Sequence, residues 1–430
     1  MPLPTVPRPW SFYRLGPTRE KELFKRRKDT YEGVVVPAHI ASYYSAFCSE
    51  FIGSLGKPYF IDPMTYIFAN DPAQLKRFIK DKKTGRTLVD QNGRKMKGDV
   101  RRSYSKLVDV HYQGIAKLAV EEDRALSPRD FTQPAATNQF VTQVVAFERN
   151  HLAAVPDKYK KYAKYAQSAG KPLSTSANLP MLLVPPYFPT STFGARGWHQ
   201  TNVQMIQRTK AQADGIPVFP VLLAETQVLA RYVKQIAAEY LEAGADGFLL
   251  WPDGFAGDQS PTAISAVFDV VRTLRKLERP VILMYGDAFS LALHYAGLVG
   301  FACGICYGEQ KLSTQDIDVE GTIPARYYLR GLKKKIVIET EARRIQIDKF
   351  PDLKCNCVIC QRKPDAATLE DPESREHFML VRAAELAELR SGLSQSDFVA
   401  GLDKAYKLHS NDPLLRPIDH LRNWSTLLSQ

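Results

Sequence analysis

Three cysteines in one hexapeptide, Cys355-Asn-Cys357-Val-Ile-Cys360, are the densest chemistry in the 430-residue chain. Thiolates at this C-x-C-x-x-C spacing lie too close to pair conveniently as disulfides. They wrap readily around one tetrahedral ion, and zinc held this way takes a fourth ligand, usually Cys or His. No other Cys is near in sequence; His377, at the start of the next expected helix, is the nearest candidate, and His409 is the second. The spacing matches neither ferredoxin pattern and a fourth Cys is missing, which argues against an iron–sulfur cluster. Exposed free thiols would be a liability, so three unligated cysteines are the poorer reading. The N-terminal MPLPTVPRPWSFYRLG is basic and Pro-rich without the apolar core of a signal peptide. The expectation is a cytoplasmic protein with reduced cysteines and structural zinc.

Charge is the second feature. The formal net charge is +12, and Lys76–Lys106 alone holds twelve Lys/Arg and three Asp, a net +9. Lys25, Arg26, Arg27 and Lys28 form a second cluster, and Lys333, Lys334 and Lys335 a third. Such concentration most often serves to neutralise phosphates. It makes Lys82, Lys83, Arg86, Arg94, Lys95, Lys97, Arg101 and Arg102 candidate nucleic-acid contacts; a solvated loop is the plain alternative.

The elements that must position these groups alternate. Short, nearly continuous apolar runs suit parallel strands buried on both faces: Val34–Ile40, Tyr59–Asp62, Gln143–Phe147, Met181–Pro185, Val218–Leu222, Gly247–Trp251, Pro280–Met284 and Gly300–Cys306. Helical patterns lie between several of them, as in Thr226–Ala243, where Leu229, Val233, Ile236, Tyr240 and Leu241 share a face. Eight strands alternating with helices argue for an α/β fold of the (β/α)8 TIM-barrel type, with a doubly wound sheet as the alternative. On this reading residues 1–33 are a basic N-terminal arm. Residues 34–345 form the barrel, with a basic insertion at about 76–110 as a hairpin or mobile loop. Residues 346–430 form a zinc-binding, helical C-terminal subdomain. No apolar run approaches the ~18–20 residues that would span a bilayer, so no membrane partner is expected.

The sequence CNCVICQR, followed by His377-Phe-Met-Leu-Val-Arg-Ala-Ala-Glu-Leu, resembles the zinc subdomain of the tRNA-guanine transglycosylase superfamily. Those enzymes are (β/α)8 barrels that exchange a guanine in nucleic acid for a 7-deazaguanine. Lys57-Pro-Tyr-Phe-Ile-Asp62 looks like the family's strand ending in a catalytic-pocket Asp, and Asp246-Gly-Phe-Leu-Leu and Pro280-Val-Ile-Leu-Met-Tyr-Gly resemble later strands. There are departures. Pro63-Met-Thr-Tyr-Ile-Phe stands where the tRNA enzymes have Ser-Gly-Gly-Phe-Gln, and neither their Gly-Gly-Leu loop nor their Phe-Asp-Cys nucleophile context is found. A simple alignment puts Gln395 at their fourth zinc ligand. The resemblance is therefore to a divergent branch, nearest the paralogues that place 7-deazaguanines in DNA. It implies DNA as partner, a 7-deazaguanine base as co-substrate and accessory modification-cluster proteins. The alternatives are an enzyme acting on tRNA and a catalytically silent nucleic-acid-binding paralogue.

Base exchange needs a carboxylate that attacks C1′ and a second group that moves protons on the leaving and incoming bases. Asp62 ends the second expected strand and Asp253 follows the sixth, which in an eight-stranded barrel face each other. Asp253 is taken as nucleophile, Asp62 as proton carrier and Asp287 as rival nucleophile. Glu148 stands where a base-recognising acid would be; Tyr66 and Phe68 could stack on a base. Gly304 and Glu309 flank a ligand approach after the eighth strand. Plainer roles exist for each: Asp253-Gly as a turn, Asp287 as a helix cap, Glu148–Arg149 as a surface pair and the aromatics as core.

Overall fold

The computed structural model describes residues 8–16, 20–153, 168, 179–194, 197–306, 309–314, 324–345 and 347–430. Its centre is a seven-stranded, wholly parallel sheet. The strands are β1 (Trp10–Arg14), β2 (Gly33–Pro37), β3 (Tyr59–Asp62), β6 (Val221–Glu225), β7 (Phe248–Asp253), β8 (Val281–Met284) and β9 (Gly300–Cys303), in the order β3-β2-β1-β9-β8-β7-β6. The numbers between belong to a small antiparallel pair, β4 (Lys76–Phe78) and β5 (Lys97–Val100). Every residue of β2, β3, β8 and β9 is buried, as the unbroken apolar runs require of strands covered on both faces.

The sheet curls until its edges approach one another. Segment 181–184 lies between them: Met181 N–H donates to Tyr59 O of β3 at 2.8 Å, and Leu183 pairs in parallel with Val218, just ahead of β6. This segment occupies an eighth position through a single bridge and does not extend into a strand.

The expected set of strands requires two corrections. Gln143–Phe147 lies inside the helix Pro134–Asn150, whose buried Phe140, Val141, Val144, Val145 and Phe147 follow helical spacing. Pro at its first position and seventeen residues of length outweigh a local β-branched run. The missing strand is β1, within the segment read as an N-terminal arm; it sits mid-sheet between β2 and β9. It is only five residues long and flanked by prolines, and the helix that follows it, Lys21–Arg26, is too short to mark it. Helix Thr226–Glu242 lies where the periodicity placed it, helices Pro261–Arg275 and Phe289–Ala296 follow β7 and β8, and Gly244 turns the chain from the first of these toward β7 at φ +100°.

The C-terminal part consists of helices Asp371–Arg390, Gln395–His409 and Asp419–Leu428. A hairpin of β10 (Arg326–Leu329) and β11 (Lys334–Val337) packs on the first of them. Among the described residues no helix is long and apolar enough to cross a membrane.

Candidate functional site

In a parallel sheet every strand ends on the same rim, so the residues closing each strand are brought together whatever their separation in sequence. Arg14 closes β1, Asp62 closes β3 and Asp253 closes β7. His39 lies two residues past β2, and Tyr285 follows β8 directly. Tyr187 follows the bridging segment.

Asp62 is the focus of the rim. It is fully buried, and Arg14 donates to its Oδ2 at 2.9 Å. Tyr187 donates its hydroxyl to Oδ1 at 2.7 Å, and Met64 N–H donates to the same oxygen at 3.0 Å. Four rings wall this carboxylate. Tyr66 stacks on Tyr187 with centroids 5.7 Å apart and meets Trp251 edge-on at 4.9 Å; Trp251 lies 4.6 Å from Tyr285. The Arg14 guanidinium lies over Tyr285 at 4.6 Å.

Low dielectric sets the protonation of the surroundings. Burial, then the charges of Lys311, Arg14 and Arg101, push His39 down to about 3. His39 is therefore a neutral imidazole, stacked on Tyr104 at 4.7 Å. Burial likewise raises the Tyr66 and Tyr187 phenols well above their ordinary range, so both stay neutral. For Arg14 burial opposes the charge, but Tyr285 and Asp62 more than restore it. The hydroxyls of Tyr66 and Tyr285 are buried close to each other, with no other hydrogen-bond partner among the described residues. Such groups suit a polar ligand.

The other carboxylates stand differently. Asp253 is half-buried, and both its oxygens accept from Ser313, Oδ1 from the backbone N–H and Oδ2 from the hydroxyl, each at 2.6 Å. Asp62 and Asp253 do not face each other: β6 and segment 181–184 separate β3 from β7 on one side, and β8 takes the position across from β3. Asp287 accepts from Phe289 N–H at 2.9 Å at the start of helix Phe289–Ala296, and also from Gly257 N–H. Burial pushes its carboxyl up to about 6, with those amides working against the shift. Its contacts are those of a cap.

Glu148 is on the helix Pro134–Asn150 and not beyond a strand, and it is no surface ion pair. Fully buried, it accepts Val184 N–H at 3.2 Å while its other oxygen has no partner among the described residues. Burial drives its acidity far down; the Val184 amide opposes the shift and the charge of Asp62 adds to it. Phe68 is core, packed 6.2 Å from Tyr112, whereas Tyr66 belongs to the aromatic wall. Gly304 follows β9, half-buried; Glu309 pairs with Lys335 at 2.6 Å and thereby ties its loop to β11.

The cysteines meet a histidine. One ligand atom from each of Cys355, Cys357, Cys360 and His377 lies within 4.8 Å of the others, a group that could hold a metal ion. His377 Nδ1 is 3.4 Å from Cys357 Sγ and 3.3 Å from Cys360 Sγ. Its Nε2 is 2.9 Å from Tyr328 O, which can only accept, so Nε2 carries the proton and the Nδ1 lone pair faces the thiols. Tyr327 stacks on the ring at 4.2 Å. Both tyrosines come from β10, so the hairpin ahead of the cysteines orients the ligand behind them. His409 is elsewhere, bonded to Asp352 at 2.6 Å, and Gln395 donates to Leu428 O.

The basic segment is an exposed hairpin. Beyond β4 and β5 the pairing continues through bridges Lys80–Thr87 and Val89–Lys95, with Gly85 and Gly93 at φ +69° and +75° in two tight turns. Lys82, Lys83, Arg86, Arg94, Lys95 and Arg102 are exposed, and Lys97 and Arg101 are half-buried. The hairpin's base joins the site, for Arg101 begins the turn that sets Tyr104 against His39. The other two clusters have internal work. Arg26 and Arg27 bind Glu376, Lys333 binds Glu385, Lys335 binds Glu309, and Lys334 donates to Leu415 O and Arg416 O.

Sequence reasoning did not single out Arg14, His39, Tyr187, Trp251, Tyr285 or Lys311 as site residues. Most share one signal: a polar or aromatic residue at, or within two residues of, the C-terminal end of an apolar run.

No protein-family model and no curated protein sequence matches the chain. Similar solved structures include a putative phosphonomutase from Burkholderia cenocepacia J2315 at 10% identity, covering 69% of this chain and 87% of that one with a TM-score of 0.31. Others are TsXylA, an intracellular xylanase from Thermoanaerobacterium saccharolyticum (8% identity, 76% and 94% covered, TM-score 0.36), and a nitroalkane oxidase from Streptomyces ansochromogenes (13%, 91% and 99%, 0.30). At these TM-scores none of the three adds to the architecture described above.

Proposed function

We propose that this chain is a base-exchange transglycosylase that replaces a guanine in DNA by a 7-deazaguanine, with structural zinc on Cys355, Cys357, Cys360 and His377. The observation that carries the reading is Asp62: a buried carboxylate on the rim of a parallel sheet, walled by Tyr66, Tyr187, Trp251 and Tyr285 and bonded to Arg14. A purine has two apolar faces and a polar edge. Aromatic walls with a carboxylate and buried phenol hydroxyls between them suit both.

Asp253 attacks C1′, the C1′–N9 bond breaks, and the sugar is held as an ester until the incoming base displaces the carboxylate. Asp62 takes the N9 proton of that incoming base. Asp253 gives up its two bonds from Ser313 by turning its own side chain toward the sugar, while the other bonds of segment 309–314 keep that loop in place. The basic hairpin supports a phosphate-bearing partner, and the likeness of the cysteine segment to the transglycosylases supports the reaction.

The test is incorporation of a labelled 7-deazaguanine. Single-stranded DNA should take up label faster than duplex, because the target base must leave the stack. Uptake into tRNA and not DNA would replace the substrate; no uptake and no guanine release from either would favour the silent binder.

A further inference from the structure

Segment 309–314, after β9, is strapped across the rim by seven hydrogen bonds, to the end of β7 with Gly254 and to the chain after β3. Trp251 Nε1 and Gly254 N–H donate to Lys311 O at 3.1 and 3.0 Å, and Gln310 Nε2 returns a bond to Gly254 O at 2.7 Å. Ser313 makes its two bonds to Asp253. Asn70 Nδ2 donates to Ser313 O at 2.7 Å and Gln74 Nε2 to Thr314 O at 2.9 Å, both from the chain that follows β3. Gly254 has φ +68°, which frees its N–H for this contact.

The strap fixes the backbone on both sides of Lys311 and turns its side chain inward. Lys311 Nζ lies 5.3 Å from the Tyr66 ring, 5.4 Å from Tyr285 and 6.0 Å from Trp251. It makes no ion pair among the described residues. The strap's own bonds would hold the segment equally well around a methionine, whereas a half-buried ammonium set among aromatic rings, with no counter-ion in contact among the described residues, is a cost. A charge kept at such a cost, between the rings that would receive a base, needs a function.

We propose that Lys311 is a catalytic residue of the transglycosylase, giving the proton that the departing purine requires. This rests on the reading above. The electron pair of the C1′–N9 bond passes to the purine as Asp253 attacks, and the purine takes a proton from Lys311 Nζ, leaving the amine. Asp62 accepts the N9 proton of the incoming base, and that proton then returns to the amine. Lys311 and Asp62 end the cycle as they began.

The surroundings suit this duty. Among the described residues Arg14, His39, Asp62, Tyr66, Asp253 and Tyr285 are the titratable groups around the ammonium. Burial and then the Arg14 charge push Lys311 down to about 7, against Asp62 and Asp253, which raise it. A group divided between its two forms near neutrality is an effective proton carrier.

The experiment is single-turnover guanine release from single-stranded DNA between pH 5.5 and 9, on wild type, Lys311→Arg, Lys311→Met and Lys311→Ala. Wild-type release should fall as pH rises through about 7. Lys311→Arg keeps the charge but not a transferable proton, so release should drop by about 100-fold or more and lose that fall, while DNA affinity stays within about 2-fold of wild type. Added primary alkylamines should restore Lys311→Ala in proportion to their concentration, which a merely structural lysine would not allow. Unaltered pH dependence in Lys311→Arg, or near-wild-type release by a folded Lys311→Met, overturns the role of Lys311 and leaves the transglycosylase intact. A wild type that releases no guanine from DNA or tRNA overturns both.

Discussion

Arg14 and Asp62 are joined at 2.9 Å, so the last residue of β1 is bonded to the last residue of β3 over the end of β2. Asp62 is buried and the Arg14 side chain only 11% exposed, and removing one partner of such a pair leaves the other charge uncompensated, at a cost of about 3 kcal/mol. Arg14→Met should lower stability by about 3 kcal/mol and Asp62→Asn by less, because Arg14 keeps its contact with Tyr285. The double variant should cost clearly less than the two single ones added together. Thermal melting of all four proteins checks this; strict additivity would mean that the pair contributes nothing as a pair.

The nucleophile is identified by what an amide cannot do. Asp253→Asn should form no covalent DNA adduct on a denaturing gel, whereas Asp62→Asn should lose turnover and still bind DNA. Asp287→Asn should retain the adduct, since its carboxylate is occupied as a helix cap. An adduct that survives Asp253→Asn and vanishes in Asp287→Asn would move the attack to the neighbouring strand.

How far this site could be read from sequence depends on range. The metal group was legible because three ligands fall within six residues and the fourth lies one helix later. Asp62 was legible because it closes an unbroken apolar strand. Arg14 was not, because β1 is a five-residue run whose central place in the sheet is set by pairing with Val34 and Cys303, far apart in the chain. Lys311 was not, because hydrogen bonds from Trp251, Gly254 and Asn70 bring it to the rim and leave no periodic trace. Glu148 was chosen for being an acid beside an apolar run. The run proved helical, and the acid reaches the sheet's edge from outside.

Glu148 gives a pH test with a definite sign. Its folded acidity lies well below that of an ordinary carboxyl, mainly through burial. As pH rises above the unfolded value of about 4.3, the unfolded chain releases a proton that the folded chain keeps, so stability falls until the folded group also ionises. Glu148→Gln has no such loss. Its melting temperature relative to wild type should climb from pH 4 to pH 7, and a difference independent of pH would show that Glu148 is ionised in the fold. If Glu148 also reads the base, the same variant should change which 7-deazaguanine is accepted.

Purified protein should carry about one zinc per chain. Cys357→Ser and His377→Ala should lose the metal and melt earlier, because binding free energy of this kind is folding free energy. His409→Ala should keep it, since His409 is committed to Asp352. Tyr327→Leu should retain zinc with weakened affinity, about 10-fold or more, as expected when a group orienting a ligand is lost. Full zinc content in His377→Ala, measured by elemental analysis, would move the fourth ligand off this helix.

The hairpin makes the most direct claim about a partner. Lys82, Lys83, Arg86 and Arg94 are exposed and sit at or beside its two tight turns, where Asp81 and Asp90 are occupied in bonding the turn amides. Those two carboxylates shape the turns without neutralising a neighbouring lysine or arginine by a direct bond to it. Changing all four cations to Gln removes charge and leaves both turns intact, so loss of binding could not be blamed on unfolding. If each meets a phosphate, the slope of log K against log salt should flatten by about 0.7 per contact on single strands and about 0.9 on duplex. Affinity at low salt should fall most, while guanine release from DNA held at saturation should stay near the wild-type rate, because the rim is untouched. Binding measured by fluorescence anisotropy at four or five salt concentrations decides it. An unchanged slope would make the hairpin a solvated surface, and the DNA would then have to be held by other groups nearer the rim.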